Sequence, residues 1–196
     1  PSGIKWASCN VGAEKPEDYG NYYAWGEVVP KENYSWETYK YINSASNNLT
    51  KYCNDASYDD NGFTDNKTTL EPEDDAAHVN WGSNWRMPTD AEWDELLDNC
   101  TWTLTTKNGI NGYRVTSKMN SNSIFLPAAG LRYDDVLHAV NTAGFYFSSS
   151  LDTDYPGCAL SSYFDSTGVH RDNDMRRTGR TIRPVCSSNS IPSYVD

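Results

Sequence analysis

The clearest periodic pattern of apolar positions lies in RMPTDAEWDELLDNC, residues 86–100. Apolar residues recur there at three- and four-residue spacing, which is typical of one buried face of an α-helix. These residues are Trp93, Leu96, Leu97 and Cys100. Thr89 precedes the first turn and Glu92 follows three residues later, the arrangement of a capping box. We therefore predict a helix that begins after Thr89 and packs on a core.

A second helix is predicted in EPEDDAAHVN, residues 71–80. Pro72 lies near its first turn, and acidic residues crowd its N-terminal end, where the helix dipole favours negative charge. His78 lies within this helix. We expect it to be a surface or partly packed histidine rather than a ligand or a base.

Beyond residue 100 the helical period gives way to short strands. Asn108-Gly109 and Asn111-Gly112 are turn signals. The stretches GYRVTS and SIFLPAAG then predict a hairpin, and GFYFSSS, CALSSYF, GVH and TIRPV predict further strands. Helices early and strands late indicate an α+β fold.

The rest of the chain divides into simpler segments. IKWASCNV is a strand candidate near the N-terminus, and the polar residues 43–66 predict a long surface loop. A chain of 196 residues is most simply one domain. We assign residues 1–186 to that domain and residues 187–196 to a C-terminal tail.

Composition narrows the classes of partner. The formal net charge is −11 and the sequence pI is about 4.6, so the chain repels phosphate backbones and is a poor candidate for nucleic-acid binding. No run of about 18 apolar residues is present to insert into a membrane. Seven tryptophans and fourteen tyrosines argue against a disordered chain, and we assign most of the tryptophans to the core rather than to sugar stacking.

Candidate metal ligands are few. The five cysteines and three histidines show no zinc spacing, and we predict no cofactor. SYDDNGFTD is a partial calcium-loop pattern around Gly62, although Ser57 stands where the first aspartate is expected. Its oxygen ligands would be Asp59, Asp60, Asn61 and Asp65. The sequence therefore leaves open whether this loop binds a structural calcium ion.

Several stretches together resemble a known family. They are IKWASCNVGAEKPEDYGNYYAWGE, DNKTTLEPEDDAAHVNWGSNWRMPTDAEWDELLDNCTW, NGYRVTSK, SIFLPAAG, FYFSSS and TIRPV. They are similar to the bacterial secreted family called the major paralogous domain, which is related to the sulfatase-modifying-factor group. NWRMPTDAEWDELL resembles that group's R-x-P-T-x-A-E-W-E signature.

The resemblance implies a C-type lectin-like fold. Such a fold has two helices, a small mixed and mainly antiparallel sheet whose first and last strands pair, and long loops that present a ligand. The first strand would then extend upstream of Pro1. The resemblance also implies a secreted or cell-surface protein of a bacterium or phage. If the terminal strands pair, Cys9 and Cys186 could form a disulfide in that setting.

The resemblance also raises an enzymatic alternative. Oxidases of the sulfatase-modifying group bind copper through two closely spaced late cysteines, whereas Cys158 and Cys186 are far apart here. A degenerate formylglycine-generating-type oxidase and a purely structural surface protein are therefore the alternatives. The main prediction is a protein that is not an enzyme.

C-type lectin-like proteins include the variable proteins of diversity-generating retroelements, in which mutated adenines turn Asn codons into many residue types. Residues 152–177 are rich in residue types reachable from an Asn codon, and no Lys, Glu or Trp follows Lys118. Met175 is the exception. Because Lys and Glu are depleted in strands in any case, ordinary solvated surface is the alternative interpretation.

We predict that residues 152–177 bind a ligand, as in an adhesin or receptor. Planar guanidinium groups, carboxylates and tyrosine rings are typical of a contact surface. The partner would be a protein or a surface glycan. The predicted contact residues are Asp152, Asp154, Tyr155, Cys158, Tyr163, Asp165, His170, Arg171, Asp172, Asp174, Arg176 and Arg177.

Overall fold

The computed structural model describes residues 2–187, so most of the predicted C-terminal tail lies outside the described residues. These residues form a mixed α/β fold with two α-helices and several small antiparallel sheets. The strands divide among five small sheets within this part of the chain, where one small sheet was predicted. No helix in residues 2–187 has the length and apolarity needed to cross a membrane.

The elements follow one another in this order. The strands are β1 Lys5–Trp6, β2 Ile42–Asn43, β3 Asn48–Leu49, β4 Cys100–Lys107, β5 Ile110–Ser117, β6 Ser123–Pro127, β7 Leu131–Tyr133, β8 Val136–His138, β9 Gly144–Leu151, β10 Cys158–Asp165, β11 Gly168–Met175 and β12 Val185–Cys186. The helices are α1 Ala76–Trp81 and α2 Asp90–Asn99, with 3₁₀ turns at Trp36–Thr38 and Pro72–Asp74.

Helix α2 confirms the predicted capping box. The Thr89 side chain accepts a hydrogen bond from the Glu92 amide at 3.3 Å, and the Glu92 carboxylate accepts one from the Thr89 amide at 2.8 Å. Trp93 and Leu96 are buried on the inner face, where Trp93 meets Trp6 edge-on at 4.8 Å between ring centroids. The helix therefore begins and packs as its sequence pattern predicts.

Replacing Thr89 with alanine is expected to lower the free energy of unfolding by about 1 kcal/mol, because the amide of Glu92 loses its acceptor. Urea unfolding monitored by circular dichroism would measure the change. Thr89→Ser keeps the hydroxyl and should remain close to wild type. An unchanged midpoint for Thr89→Ala would contradict the capping role.

Helix α1 is shorter than the predicted helix over residues 71–80. Asp75 has extended backbone angles (φ −90°, ψ 112°), which separate the 3₁₀ turn at Pro72–Asp74 from the helix proper. Its carboxylate accepts hydrogen bonds from the amides of Ala77 at 2.9 Å and His78 at 3.0 Å. Asp75 therefore starts a new helix rather than continuing the first turn, and His78 is partly exposed, as expected.

The predicted hairpin is confirmed, with one correction. Strands β4, β5 and β6 form an antiparallel sheet, and Asn108 and Gly109 have the positive φ values (50° and 84°) of its tight turn. Asn111-Gly112 is not a turn but lies inside β5. A Cβ atom on Gly112 would lie 2.7 Å from the Phe125 ring. This glycine therefore makes room for the ring and does not reverse the chain.

Two buried clusters form the core. One surrounds Trp25 and draws on the N-terminal half, and the other places Trp93 of α2 against the sheets that contain β5, β9 and β10. Residues 43–66 are mostly exposed and irregular, as the predicted surface loop requires, but the short strand β3 lies within them. Leu49, Tyr52 and Cys53 are buried in that segment, and Tyr52 belongs to the first cluster.

The first and last strands pair, as predicted. Lys5 lies opposite Cys186, and Trp6 lies opposite Val185. The predicted disulfide between Cys9 and Cys186 is wrong, since none of the five cysteines forms one. The register explains this, because Cys9 lies beyond the end of β1 and its Sγ contacts the Ala13 carbonyl at 3.4 Å.

Candidate functional site

Most of the predicted contact residues lie on one antiparallel sheet, whose strand order is β11, β10, β9. The loop between β9 and β10 supplies three more of them, Asp152, Asp154 and Tyr155. Successive side chains of a strand point to opposite faces, so the sheet divides these residues into two sets. One set lies on an aromatic face, and the other faces helix α2.

An aromatic ladder crosses the first face. Tyr163 of β10 lies opposite Phe145 of β9 and His170 of β11. Its ring stacks on both neighbours, with centroid distances of 5.8 Å to Phe145 and 4.8 Å to His170. All three side chains are only partly buried. The sheet therefore holds three flat rings in line at its surface.

Acidic residues continue this face along β11. Asp172 and Asp174 follow His170 at two-residue spacing, so the three share a side of the strand. Asp172 is exposed, whereas Asp174 is half-buried and forms an ion pair with Arg180. Together the ladder and Asp172 offer aromatic and negatively charged groups side by side.

The loop before β10 adds further exposed groups. Tyr155 is 61% exposed, and Asp154 beside it is also exposed. Asp152 is buried instead, and its carboxylate accepts hydrogen bonds from the amides of Asp154 at 2.9 Å and Tyr155 at 3.2 Å. Asp152 therefore shapes the loop, and its assignment as a contact residue is corrected.

Arg171 lies on the opposite face of the sheet from His170 and Asp172. Its guanidinium pairs with Asp90 and Asp94 of helix α2 and donates to the Ser161 carbonyl at 3.1 Å. Burial lowers its pKa to about 10. Arg171 therefore joins the sheet to the helix, and its planar donors are already used.

Arg176 is the clearest correction to the predicted binding surface. It is fully buried and donates to the Tyr39 hydroxyl and to three backbone carbonyls, all between 2.9 and 3.1 Å. Its guanidinium also lies 5.0 Å from the centre of the Trp25 ring. The charge is held by oxygen acceptors and aromatic faces inside the domain, so it cannot meet a partner.

Arg177 is likewise buried. It donates to the Tyr34 carbonyl and to Asp134, each at 2.7 Å, and its guanidinium lies 4.2 Å from the centre of the Tyr133 ring. The expectation that Arg177 presents free donors is therefore wrong. It ties the segment after β11 to the β7–β8 hairpin.

The sequence pattern missed two further buried arginines, Arg180 and Arg183. Arg183 donates to Asn10 at 2.8 Å and to the Phe125 carbonyl at 2.9 Å. Arg180 pairs with Asp174, and its guanidinium lies 4.8 Å from the centre of the Phe147 ring. Burial lowers the pKa of both arginines.

Cys158 and Asp165 lie at the two ends of β10. Burial raises the pKa of the Cys158 thiol to about 11, so it is protonated at neutral pH and is a poor nucleophile. Asp165 accepts hydrogen bonds from the Thr167 hydroxyl and amide, which lower its pKa and form the turn into β11. Neither residue extends the aromatic ladder.

The candidate calcium ligands organise their own segment. Asp65 accepts hydrogen bonds from the amides of Tyr52, Cys53 and Lys67 at 2.9 to 3.1 Å, and Asp59 accepts one from the Leu49 amide. Within residues 2–187 no three His, Cys, Asp or Glu side chains are grouped so that they could hold a metal ion. The Asp59 and Asp65 carboxylates are hydrogen-bonded to the backbone instead.

Comparisons with known proteins add no relative. No protein-family model, no curated protein and no solved structure matches the chain.

Proposed function

We propose that this chain is a non-enzymatic ligand-binding module with a C-type lectin-like fold, exported to a cell surface or secreted. Ligand would bind on the ladder face, defined as Asp154, Tyr155, Phe145, Tyr163, His170 and Asp172. The stacked rings of Phe145, Tyr163 and His170 carry this proposal. They combine large contact area with exposure at the surface of a regular sheet.

The physical argument is preorganisation. Aromatic side chains have few rotatable bonds, so they lose little conformational entropy when they bind a partner. Each ring of the ladder is further restrained by its stacked neighbour. The buried arginines that follow β11 fix the end of that strand, so a partner meets a surface that is already in place.

The chemistry of the face suits a protein or a surface glycan. Stacked rings can pack against apolar side chains or against the C–H face of a sugar. Asp154 and Asp172 are exposed and negatively charged, which favours a partner with positive charge opposite them. The net charge of −11 would further raise the association rate with such a partner.

Binding through the ladder face can be tested with the 196-residue chain. Probes selected from a glycan array and a random peptide display library should bind the wild type and lose at least about tenfold in affinity to Tyr163→Ala or His170→Ala. Leu104→Ala, a change of an exposed residue on β4, is the control and should bind normally. Absence of selected probes, or probes that bind the ladder variants as well as wild type, would contradict the proposal.

The sharper form of the proposal is that a diversity-generating retroelement varies this face. Sequencing the gene across a population of the cells or phage that carry it should then show substitutions at Asp154, Tyr155, Tyr163, His170 and Asp172. Arg176 and Arg177 should not vary, because they are buried. Variation spread evenly over the gene, or a uniform sequence, would leave a fixed binding module and reject diversification.

A further inference from the structure

A surface concavity lies on another sheet and uses none of the ladder-face residues. It has a volume of about 380 Å³ and is formed by β4, β5 and β6 together with the N-terminal loop at Ser8 and Pro16. That volume is within the range of small-molecule sites in proteins. Five of its lining residues carry the argument: Thr105, Lys107, Arg114, Ser123 and Phe125.

The cavity concentrates positive charge in an acidic protein. Arg114 of β5 is exposed, and within residues 2–187 its guanidinium makes no ion pair or hydrogen bond. Lys107 also lines the cavity, 3.5 Å from a carboxylate oxygen of Glu17. Every other guanidinium described above is hydrogen-bonded inside the domain. Arg114 therefore keeps its planar donors available to an anion.

Phe125 supplies an apolar wall of the cavity, and Pro16 and Ile124 also line it. The ring lies over Gly112, where any side chain would collide with it, and Phe125 pairs with Arg114 in the β5–β6 register. On the other side of β5, Thr103 of β4 also pairs with Arg114. The guanidinium and the aromatic ring therefore come from neighbouring positions on adjacent strands, and a single ligand can reach both.

Hydroxyl groups make up much of the remaining lining. Thr105 of β4 and Ser123 of β6 line the cavity, and each hydroxyl can both donate and accept a hydrogen bond, whereas the Thr106 hydroxyl already donates to Asn111 at 2.8 Å. A ligand rich in hydroxyls would satisfy these groups. A ligand that was only apolar would leave them without partners, at a cost in binding free energy.

We infer that this cavity binds a sugar acid, a ring that bears both hydroxyl groups and a carboxylate. Arg114 receives the carboxylate through paired N–H donors, the geometry in which guanidinium and carboxylate match best. The hydroxyls of Thr105 and Ser123 bind ring hydroxyls, and Phe125 packs against C–H groups. This site is independent of the proposed ladder face and needs no bound metal ion.

Calorimetric titration of the full chain tests this inference with D-glucuronate as the probe. We expect saturable binding with a Kd on the order of 1 mM or tighter. Arg114→Ala should weaken it at least about tenfold, because the charged donors are lost. Thr105→Val, which removes a hydroxyl and nearly conserves volume, should weaken it by a smaller factor.

Lys118→Ala is the matched charge control, since Lys118 is exposed and does not line the cavity. It should bind glucuronate as the wild type does, and so should Tyr163→Ala. D-glucose has the ring hydroxyls without the carboxylate, and inorganic phosphate has the negative charge without the sugar ring. Each should bind much more weakly than glucuronate. Tighter binding of an oligosaccharide that ends in glucuronate would support the inference and indicate a glycan terminus as the source.

Three results would overturn the inference. One is no saturable binding of glucuronate, and another is equal affinity for phosphate, which would indicate a simple anion site. The third is an Arg114→Ala variant that binds as wild type does. Since the ladder variants are measured in parallel, failure here is distinguishable from failure of the proposed function.

Discussion

Replacing Arg176 with methionine is expected to lower the free energy of unfolding by about 3–5 kcal/mol, because several buried acceptors lose their donor at once. Methionine has a similar length but cannot donate hydrogen bonds, so the buried carbonyls of Lys51, Tyr52 and Pro156 lose their donor. The cation would also be lost from between the rings of Trp25 and Tyr39. Since domains are commonly stable by about 5–15 kcal/mol, such a loss threatens folding itself.

Urea unfolding at neutral pH measures this effect, with two companion variants. Arg176→Lys keeps the charge but not the planar set of donors, and should also be strongly destabilised. Arg114→Ala changes an exposed arginine without an internal partner in the described chain and should stay within about 0.5 kcal/mol of wild type. If Arg176→Met were as stable as Arg114→Ala, the assignment of Arg176 to the core would be wrong.

The second large effect is expected at Asp74, a buried carboxylate at the centre of a polar cluster. It accepts hydrogen bonds from the Tyr52 hydroxyl and the Lys51 ammonium, each at 2.6 Å, and from Tyr41 and Lys40. Burial by itself raises the pKa of this carboxyl, but hydrogen bonds led by that from Lys51 outweigh it. The pKa of Asp74 therefore lies well below its ordinary value.

A carboxyl whose pKa is lower in the folded than in the unfolded chain stabilises the fold above the unfolded pKa, near 4. That contribution is lost as the pH falls below about 4. Asp74→Asn should lower the free energy of unfolding by about 3 kcal/mol at pH 7 and by progressively less toward pH 2.5. Urea unfolding of Asp74→Asn and wild type between pH 7 and pH 2.5 measures the difference in stability at each pH. Asp98→Asn, at an exposed carboxyl, should follow the wild type, and parallel pH curves for Asp74→Asn and wild type would contradict the argument.

The parts of the fold that the sequence predicts correctly depend on near neighbours. The capping box joins Thr89 to Glu92, and the turn at Asn108-Gly109 needs positive φ values that these two residue types adopt readily. Each of these two features depends only on residues within a few positions of one another. The pairing of β1 with β12 is long-range, and it was predicted through the family resemblance rather than from the residues themselves.

The predictions that were wrong at the candidate site concern residues whose partners lie far away in the sequence. Arg176 stands among aspartates and arginines, which locally favours a solvated surface. Three of its four acceptors come from residues more than 120 positions earlier, namely Tyr39, Lys51 and Tyr52. No local pattern could have indicated that these acceptors would surround it.

Strand β11 illustrates a related limit. Its sequence GVHRDNDM is polar on both faces, so alternation of apolar and polar residues could not separate them. The structure does separate them, because Arg171 meets the carboxylates of α2 while His170 joins the ladder. The sequence could therefore indicate a candidate segment, but it could not indicate which residues of that segment point outward.

The pairing of β1 with β12 determines how the domain would respond to force. Two residue pairs join these strands side by side, so a pull that separates the chain ends would break their hydrogen bonds one after another instead of all at once. Beyond them, Arg183 donates to the carbonyls of Ala7 and Ser8 and to Asn10. A pull from the chain ends would therefore separate β1 from β12 first, and would next have to break the hydrogen bonds of this buried guanidinium.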